Sequence, residues 1–460
     1  MSSRNQALLL GEEKISKLLP RFYFPAIVAT TSTALYNIVD RIFIGQFCGE
    51  DALAAITICF SPSLFFLALG MLIGHGSAAL VSIKLGEHHK ICAEKILGQS
   101  ILLFMMLSAM IAFIAIFFLD EILLLFGAKE QVFTYAKTYF FIILLGIIFE
   151  EISFGVNNII RAEGRPYYSM ATMLMGAVLN IFLDYLFIVK FSWGVKGAAY
   201  ATVIAQATAS IWVMYFYMAK CGLLLFRFKN LRIFPNLLKE MLKIGSPSFI
   251  VQFLAAGVIG LVIVQAGKYG STSGITIMGV VMTVNLLVFM PILGVTTGAQ
   301  PIMGYNWGAK KFDRVSEALK ITLITASTFS ILGFLFTQTF PNLIFSTFLG
   351  NKSVNVDAGI SAMRIMTLAF IFIGLNFTVA GFFQATGRPK FSIFLTVLRQ
   401  VIALTPMLIL LPRAFGLAGL WVSFPLSDLI TALYSGIIVY KEFKKLKRYD
   451  YLIKTSQLAI

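Results

Sequence analysis

Long runs of apolar residues alternate along the chain with short polar loops. The runs recur at about 20 residues, the length that crosses a bilayer as a helix. Twelve are recognisable, at roughly 15–44, 54–83, 96–119, 132–160, 168–189 and 196–220 in the first half. The second half gives roughly 238–266, 275–304, 318–340, 357–384, 391–412 and 417–440. The pattern predicts an all-α polytopic membrane protein with twelve transmembrane helices.

Composition closes off the soluble alternative. Of the 460 residues, 58% are hydrophobic and 13% charged, against about a quarter charged in an ordinary soluble domain; so little polar surface could not cover so large a core. The formal charge of +16 would suit a nucleic-acid binder, but its placement says otherwise. The N-terminal segment, the loops after even-numbered runs and the tail carry about 27 Lys and Arg, the remaining loops about 9. This bias predicts a multi-pass protein of the cytoplasmic (inner) membrane with both termini cytoplasmic, and explains the basicity without nucleic acid. Cys48, Cys59, Cys92 and Cys221, with His75, His88 and His89, have no metal-binding or disulfide spacing. No cleavable signal peptide is expected, since the N-terminal LLL is short and is followed by the charged stretch Gly11-Glu12-Glu13-Lys14. No metal and no cofactor are expected.

The halves repeat one another at an offset of about 222 residues. Pro25 maps to Pro247, Gly45 to Gly267, Gly76 to Gly298 and Gly86 to Gly308. The loop RAEGRPYYS (161–169) matches QATGRPKFS (384–392), and Gly194 and Gly197 match Gly416 and Gly419. Six spans is an even number, so both halves run the same way through the membrane, related by a pseudo-twofold axis along its normal. The expected lobes are 1–226 and 227–460, with 221–236 (Arg227, Lys229, Arg232) as linker. A channel or membrane enzyme could also arise by duplication, but two-lobed repeats are the usual architecture for alternating access. An enzyme would further need a nucleophile, base or metal constellation, and direct ATP use a GxxxxGK[ST] loop; neither is visible. The chain reads as a transporter and not an enzyme.

A charge inside hydrocarbon costs on the order of 2.5–3.5 kcal/mol, so charges at membrane depth are informative: Asp40, Glu150, Glu151, Asp184, Arg399 and Asp428. Asp40 and Asp184 stand about five residues from the same end of spans 1 and 5, and Thr202 is similarly placed in span 6. Asn180, four residues before Asp184, shares its helix face. These four occupy one depth band, with Tyr36 and Asn37 one turn below Asp40. If they converge, two poorly solvated carboxylates cannot both stay ionised cheaply, so the site would take up a proton or hold a hard cation on oxygens. The alternative for Asp40 is a structural pair with Arg41. At the repeat offset, Asp40 maps to Val262, Asp184 to Pro406 and Thr202 to Phe424, so the polar set exists once, as a coupling site requires. Arg399 and Asp428 are expected to form an ion pair fastening the second lobe, with a substrate role the alternative, and His75 to be a hydrogen-bonded interior histidine, with a ligand role the alternative. Pro25, about four turns below Asp40, is the expected hinge, with static kinking the alternative. Glu150 and Glu151 receive no role.

Twelve spans in parallel halves, the paired GRP loops and the set Asp40/Asn180/Asp184/Thr202 resemble the multidrug and toxic compound extrusion (MATE) family, in particular its branch of DNA-damage-inducible F-like proteins. The resemblance covers about residues 15 to 440. It implies two six-helix bundles around a V-shaped cavity, and export of cationic or amphipathic small molecules against inward H⁺ or Na⁺. It assigns the cation site to Asp40, Asn180, Asp184 and Thr202, and cavity positions to Tyr36, Tyr139 and Asn157, with Asn37 beside them. Other branches carry carboxylates in spans 7 and 10, where this chain has only Gln252, Gln265 and Asn376. The partners expected are small amphipathic or cationic substrates, the coupling cation and the lipid bilayer, with the protein a monomer. The alternative is a lipid-linked precursor flippase of the same superfamily, which would need several cavity cations where only Arg399 stands.

Overall fold

The computed structural model of the protein describes residues 10–349 and 356–458. Among these residues every regular element is helical. The first half comprises α1 (Ile15–Cys48), α2 (Glu50–Gly86), α3 (Lys90–Phe117), α4 (Glu130–Ala162), α5 (Pro166–Asp184) and α6 (Gly194–Met218). The second begins with α7 (Pro235–Gly308), which contains two membrane-length stretches, Pro235–Gly270 and Ile277–Gly308. Then come α8 (Phe312–Thr339), α9 (Val356–Met366), α10 (Phe370–Ala385), α11 (Pro389–Val397) and α12 (Thr405–Leu458). Among the described residues eleven stretches are long and apolar enough to cross a membrane, and the last, Pro389–Ile453, spans 65 residues. It turns at Gly416 (φ 58°, ψ −140°) and so supplies both the eleventh and twelfth spans. The helices outrun the apolar windows because an α-helix satisfies its own backbone in water and lipid alike; α2 has 37 residues. Their outer faces are apolar, with Phe113 74% and Ile211 67% exposed, as suits contact with lipid.

The repeated residues have identifiable work. Each GRP loop turns on a glycine with left-handed backbone, Gly164 (φ 95°) and Gly387 (φ 71°), and the proline after it opens the next helix. There its missing N–H is no loss and its fixed φ fits the first turn. Arg165 donates to the Cys221 carbonyl (3.2 Å). Its counterpart Arg388 pairs with Glu442 (2.5 Å) and lies over the Trp307 ring (4.2 Å).

Chain contacts divide the protein into two compact units that differ from the repeat boundary. One holds Val28–Gln252, the other Lys14–Ile27 with Phe253–Ile460. Each half's first span is therefore split, just beyond Pro25 in α1 and Pro247 in α7. Within the first unit, Gly76 has no room for a Cβ against the Met241 carbonyl, nor Gly245 against that of Leu72. Within the second unit, a Cβ on Gly298 would meet the Phe22 carbonyl at 2.9 Å and one on Gly294 the Ile27 Cα at 2.6 Å. At the repeat offset Gly76 maps to Gly298 and Leu72 to Gly294, so one close helix crossing is built twice.

The linker is an ordered strap on the first unit. Glu163 Oε2 accepts the N–H groups of Leu223 (3.1 Å) and Leu224 (3.0 Å), and Gln99 Oε1 accepts that of Phe234 (2.7 Å). Burial pushes the Glu163 carboxyl up from 4.5 to about 8, outweighing the two N–H groups that favour its charge.

These contacts can be tested through stability. Gly76→Ala should destabilise the detergent-solubilised protein by roughly 1–3 kcal/mol through overpacking, while Gly279→Ala, with nothing within 4 Å of the new Cβ, should leave thermal unfolding unchanged. A folded carboxyl titrating near pH 8 stays protonated where an unfolded one has ionised. Its contribution to stability is therefore full below about pH 4.5 and falls as pH rises towards 8. Glu163→Gln should flatten that decline in the pH profile of the unfolding temperature.

Candidate functional site

The acidic set lies inside the first unit, where α1, α4, α5 and α6 meet. Asp184 is fully buried and Asp40 is 8% exposed. Both Asp184 oxygens, Asp40 Oδ1 and Asn180 Oδ1 have no hydrogen-bond partner. Asn180 Nδ2 donates to Thr202 Oγ1 at 3.4 Å, tying α5 to α6. Asp40, Asp184, Tyr36 and Tyr139 lie within electrostatic reach of one another. Arg41 places its guanidinium 5.0 Å from the centre of the Phe60 ring.

An apolar seal lies one turn beyond each polar residue. Ile44 follows Asp40 by four residues, Ile188 follows Asp184 by four and Ala198 precedes Thr202 by four. These three join Ala52, Ile56 and Val195 in one buried cluster, against which Tyr139 packs. In the other direction polar groups continue. Tyr36 lies within electrostatic reach of Glu150, and Glu150 bonds Gln206, one turn along α6 from Thr202. Glu151 is 3% exposed with Oε2 unpartnered, in space that exists because position 70 is glycine; a Cβ there would collide with the carboxylate. The helix spacing of Thr202 and Gln206 was a readable signal for Gln206, whereas nothing local indicated where Glu150 and Glu151 would face.

Not every candidate joins this group. The exposed Asn37 reaches it only through a hydrogen bond with Tyr36, and donates to the Thr33 carbonyl on its own helix (2.7 Å). Asn157, 4% exposed, donates to the Ser169 carbonyl (3.2 Å), fifteen residues or about 22 Å along α5 from Asp184. Pro25 belongs to the second unit. His75 Nδ1 is 2.8 Å from Ser248 Oγ.

The second unit differs at the equivalent positions. Val262 and Phe424, the counterparts of Asp40 and Thr202, lie in a buried apolar cluster with Val281, Leu408, Leu420 and Trp421. Its buried charge lies elsewhere. Arg399 donates to both oxygens of Asp428 (2.5 and 3.1 Å). Asn376 donates to the Asp428 carbonyl (3.1 Å) and accepts from Ser435 (3.1 Å). Arg399 sits in a π-helical stretch, Leu398–Leu404, and another, Tyr185–Lys190, begins directly after Asp184. Wider turns of this kind re-aim side chains and recur at functional positions. Periodicity assumed a regular α-helix and could not foresee them.

Comparison with known proteins accords with this doubled construction. The MatE family model matches twice, at residues 25–186 and 247–409. A protein of Staphylococcus saprophyticus described as multidrug export protein MepA is 25% identical, covering 95% of this chain and 96% of its own length. The MepA of Staphylococcus haemolyticus is 26% identical over 95% of both chains. Among solved structures, the MATE multidrug transporter DinF-BH is 35% identical, with a TM-score of 0.88 over 94% of this chain and 96% of that one. An outward-facing MATE family transporter of the MOP superfamily has the same fold at 22% identity, with a TM-score of 0.91 over 97% of this chain and 100% of that one.

The Arg399–Asp428 pair yields a test of its energetics. Arg399→Met leaves a buried carboxylate without its cation and should cost roughly 3–5 kcal/mol, whereas Arg399→Met with Asp428→Leu should recover most of that. Denaturant unfolding of the three proteins in detergent measures the difference.

Proposed function

The chain belongs to the MatE family, and on that premise we propose that it exports cationic and amphipathic small molecules in exchange for H⁺ or Na⁺ held between Asp40 and Asp184. The fold is that of the family's transporters, twelve spans in two halves, and the protein is a multi-pass membrane protein. The observation that carries the coupling reading is the pair of buried carboxylates with three partnerless oxygens between them. A buried ionised group without a partner is strongly disfavoured. Such a site is stable only while it holds a positive charge, and becomes unfavourable once it has let go. Asn180 Oδ1 and Thr202 Oγ1 complete an all-oxygen set suited to a hard cation, while a shared proton meets the same need.

The descriptions of the relatives, as multidrug export proteins and a multidrug transporter, support small-molecule efflux as the work done by this exchange. The flippase alternative is weakened because Arg399, the clear mid-membrane cation, is neutralised by Asp428. In the proposed cycle, loading cancels the charge near one end of α1. Pro25, two residues before the point where α1 passes from the second unit to the first, lets the helix bend in response. Asn37, Tyr36, Tyr139 and Asn157 remain candidate cavity residues. Arg399 and Asp428 keep a fastening role. The orientation proposed places both termini in the cytoplasm of a cell whose inner membrane holds the protein as a monomer.

Asp40→Asn and Asp184→Asn should each abolish gradient-driven efflux from proteoliposomes while membrane abundance stays at the wild-type level. Imposing the proton and the sodium gradient separately identifies the ion. Full efflux by both variants would remove the coupling site from these residues.

A further inference from the structure

The strap between the halves encloses a second polar site, independent of the coupling pair. Its walls are Ile91, Glu94 and Lys95 of α3 with Arg227, Lys229, Asn230 and Arg232 of the strap, around a cavity of about 280 Å³. The charge there is unbalanced. Glu94, 4% exposed, is matched by Arg227 (3.1 Å) and Lys90 (3.9 Å). Lys95, Lys229 and Arg232 have no ion-pair partner among the described residues. The cations are also held in place. Lys95 and Arg232 both lie over the Phe234 ring (5.2 and 4.8 Å), whose own N–H is fixed by Gln99. Gly98 admits Asn230 so closely that a Cβ would lie 2.6 Å from its carbonyl.

Exposed apolar side chains accompany this cavity: Ile91 lines it, and Phe228 and Ile233 adjoin the lining residues Lys229 and Arg232 in the chain. Phe228 is 76% exposed, Ile91 70% and Ile233 45%. Ile91 lies in the first turn of a membrane-length helix, so the cavity stands at the edge of the hydrocarbon. Converging cations beside exposed aromatic and aliphatic groups at that depth match a lipid, with phosphate in the headgroup zone and chains below.

We propose that this cavity binds the phosphate of an anionic phospholipid headgroup, with Lys95, Lys229 and Arg232 as its cationic ligands and Phe228 and Ile91 set against the acyl chains. The strap thereby reads the charge of the surrounding leaflet.

Native mass spectrometry of the protein in micelles containing phosphatidylglycerol and phosphatidylcholine tests this. Wild-type protein should retain phosphatidylglycerol preferentially. Lys229→Gln with Arg232→Gln should lower that retention about tenfold or more. Phe228→Ser should lower it with every charge intact, and the exposed Lys229→Gln alone gives a reading should the double variant fail to fold. Unchanged retention in Lys229→Gln and in Phe228→Ser overturns the proposal. Soluble glycerol phosphate should not displace the lipid at equal phosphate concentration; equal displacement would mean a free-anion site and overturn the lipid assignment.

Discussion

A carboxylate removed from water and given no partner is among the least tolerable groups in a protein interior, and the first unit holds two of them within electrostatic reach of each other. Around Asp40 and Asp184 the neighbours are an apolar seal on one side and neutral or acidic groups on the other, with Arg41 a cation in electrostatic reach of Asp40. Three other buried acids are answered by cations, Asp428 by Arg399, Glu442 by Arg388 and Glu94 by Arg227, while Glu163 is held by backbone N–H groups and Glu151 keeps an unpartnered oxygen. The contrast defines the site. The fold pairs those interior charges and leaves this couple open, and on that difference the proposed coupling role rests.

The same constraint separates the two halves. Duplication supplied one scaffold twice, with close crossings made by Gly76 and Gly298 and loops turned by Gly164 and Gly387. What fills the scaffold differs. The first unit spends its interior on polar groups, while the second packs Val262, Phe424 and Trp421 into a dry cluster. A dry core is rigid and close-packed.

The strap gives a different lesson about basic loops. Read along the sequence, Arg227, Lys229 and Arg232 are topology signals at a linker. Folded, the segment that carries them is held at Leu224, Asn230 and Phe234 by Glu163, Gly98 and Gln99, and all three cations line one cavity. Such a cavity suits the proposed ligand, because the backbone that carries its cations is already ordered.

The sequence by itself determined the spans, the doubling, the special glycines and prolines, and the depth shared by Asp40, Asn180, Asp184 and Thr202. Each follows from local rules: the length of helix a bilayer demands, the backbone freedom of glycine, and the rise per residue. Only the tertiary structure decided which groups meet. Depth along a helix says nothing of rotation or of neighbours, so the Asn180–Thr202 bond, the placing of Asn157 with Ser169 rather than with Tyr139, and the pocket that Gly70 leaves for Glu151 could not be read in advance. Nor could the split of α1 beyond Pro25 or the π-helical turns at Asp184 and Arg399. These arise from packing between segments far apart in the chain, where close fit and polar satisfaction override local preference.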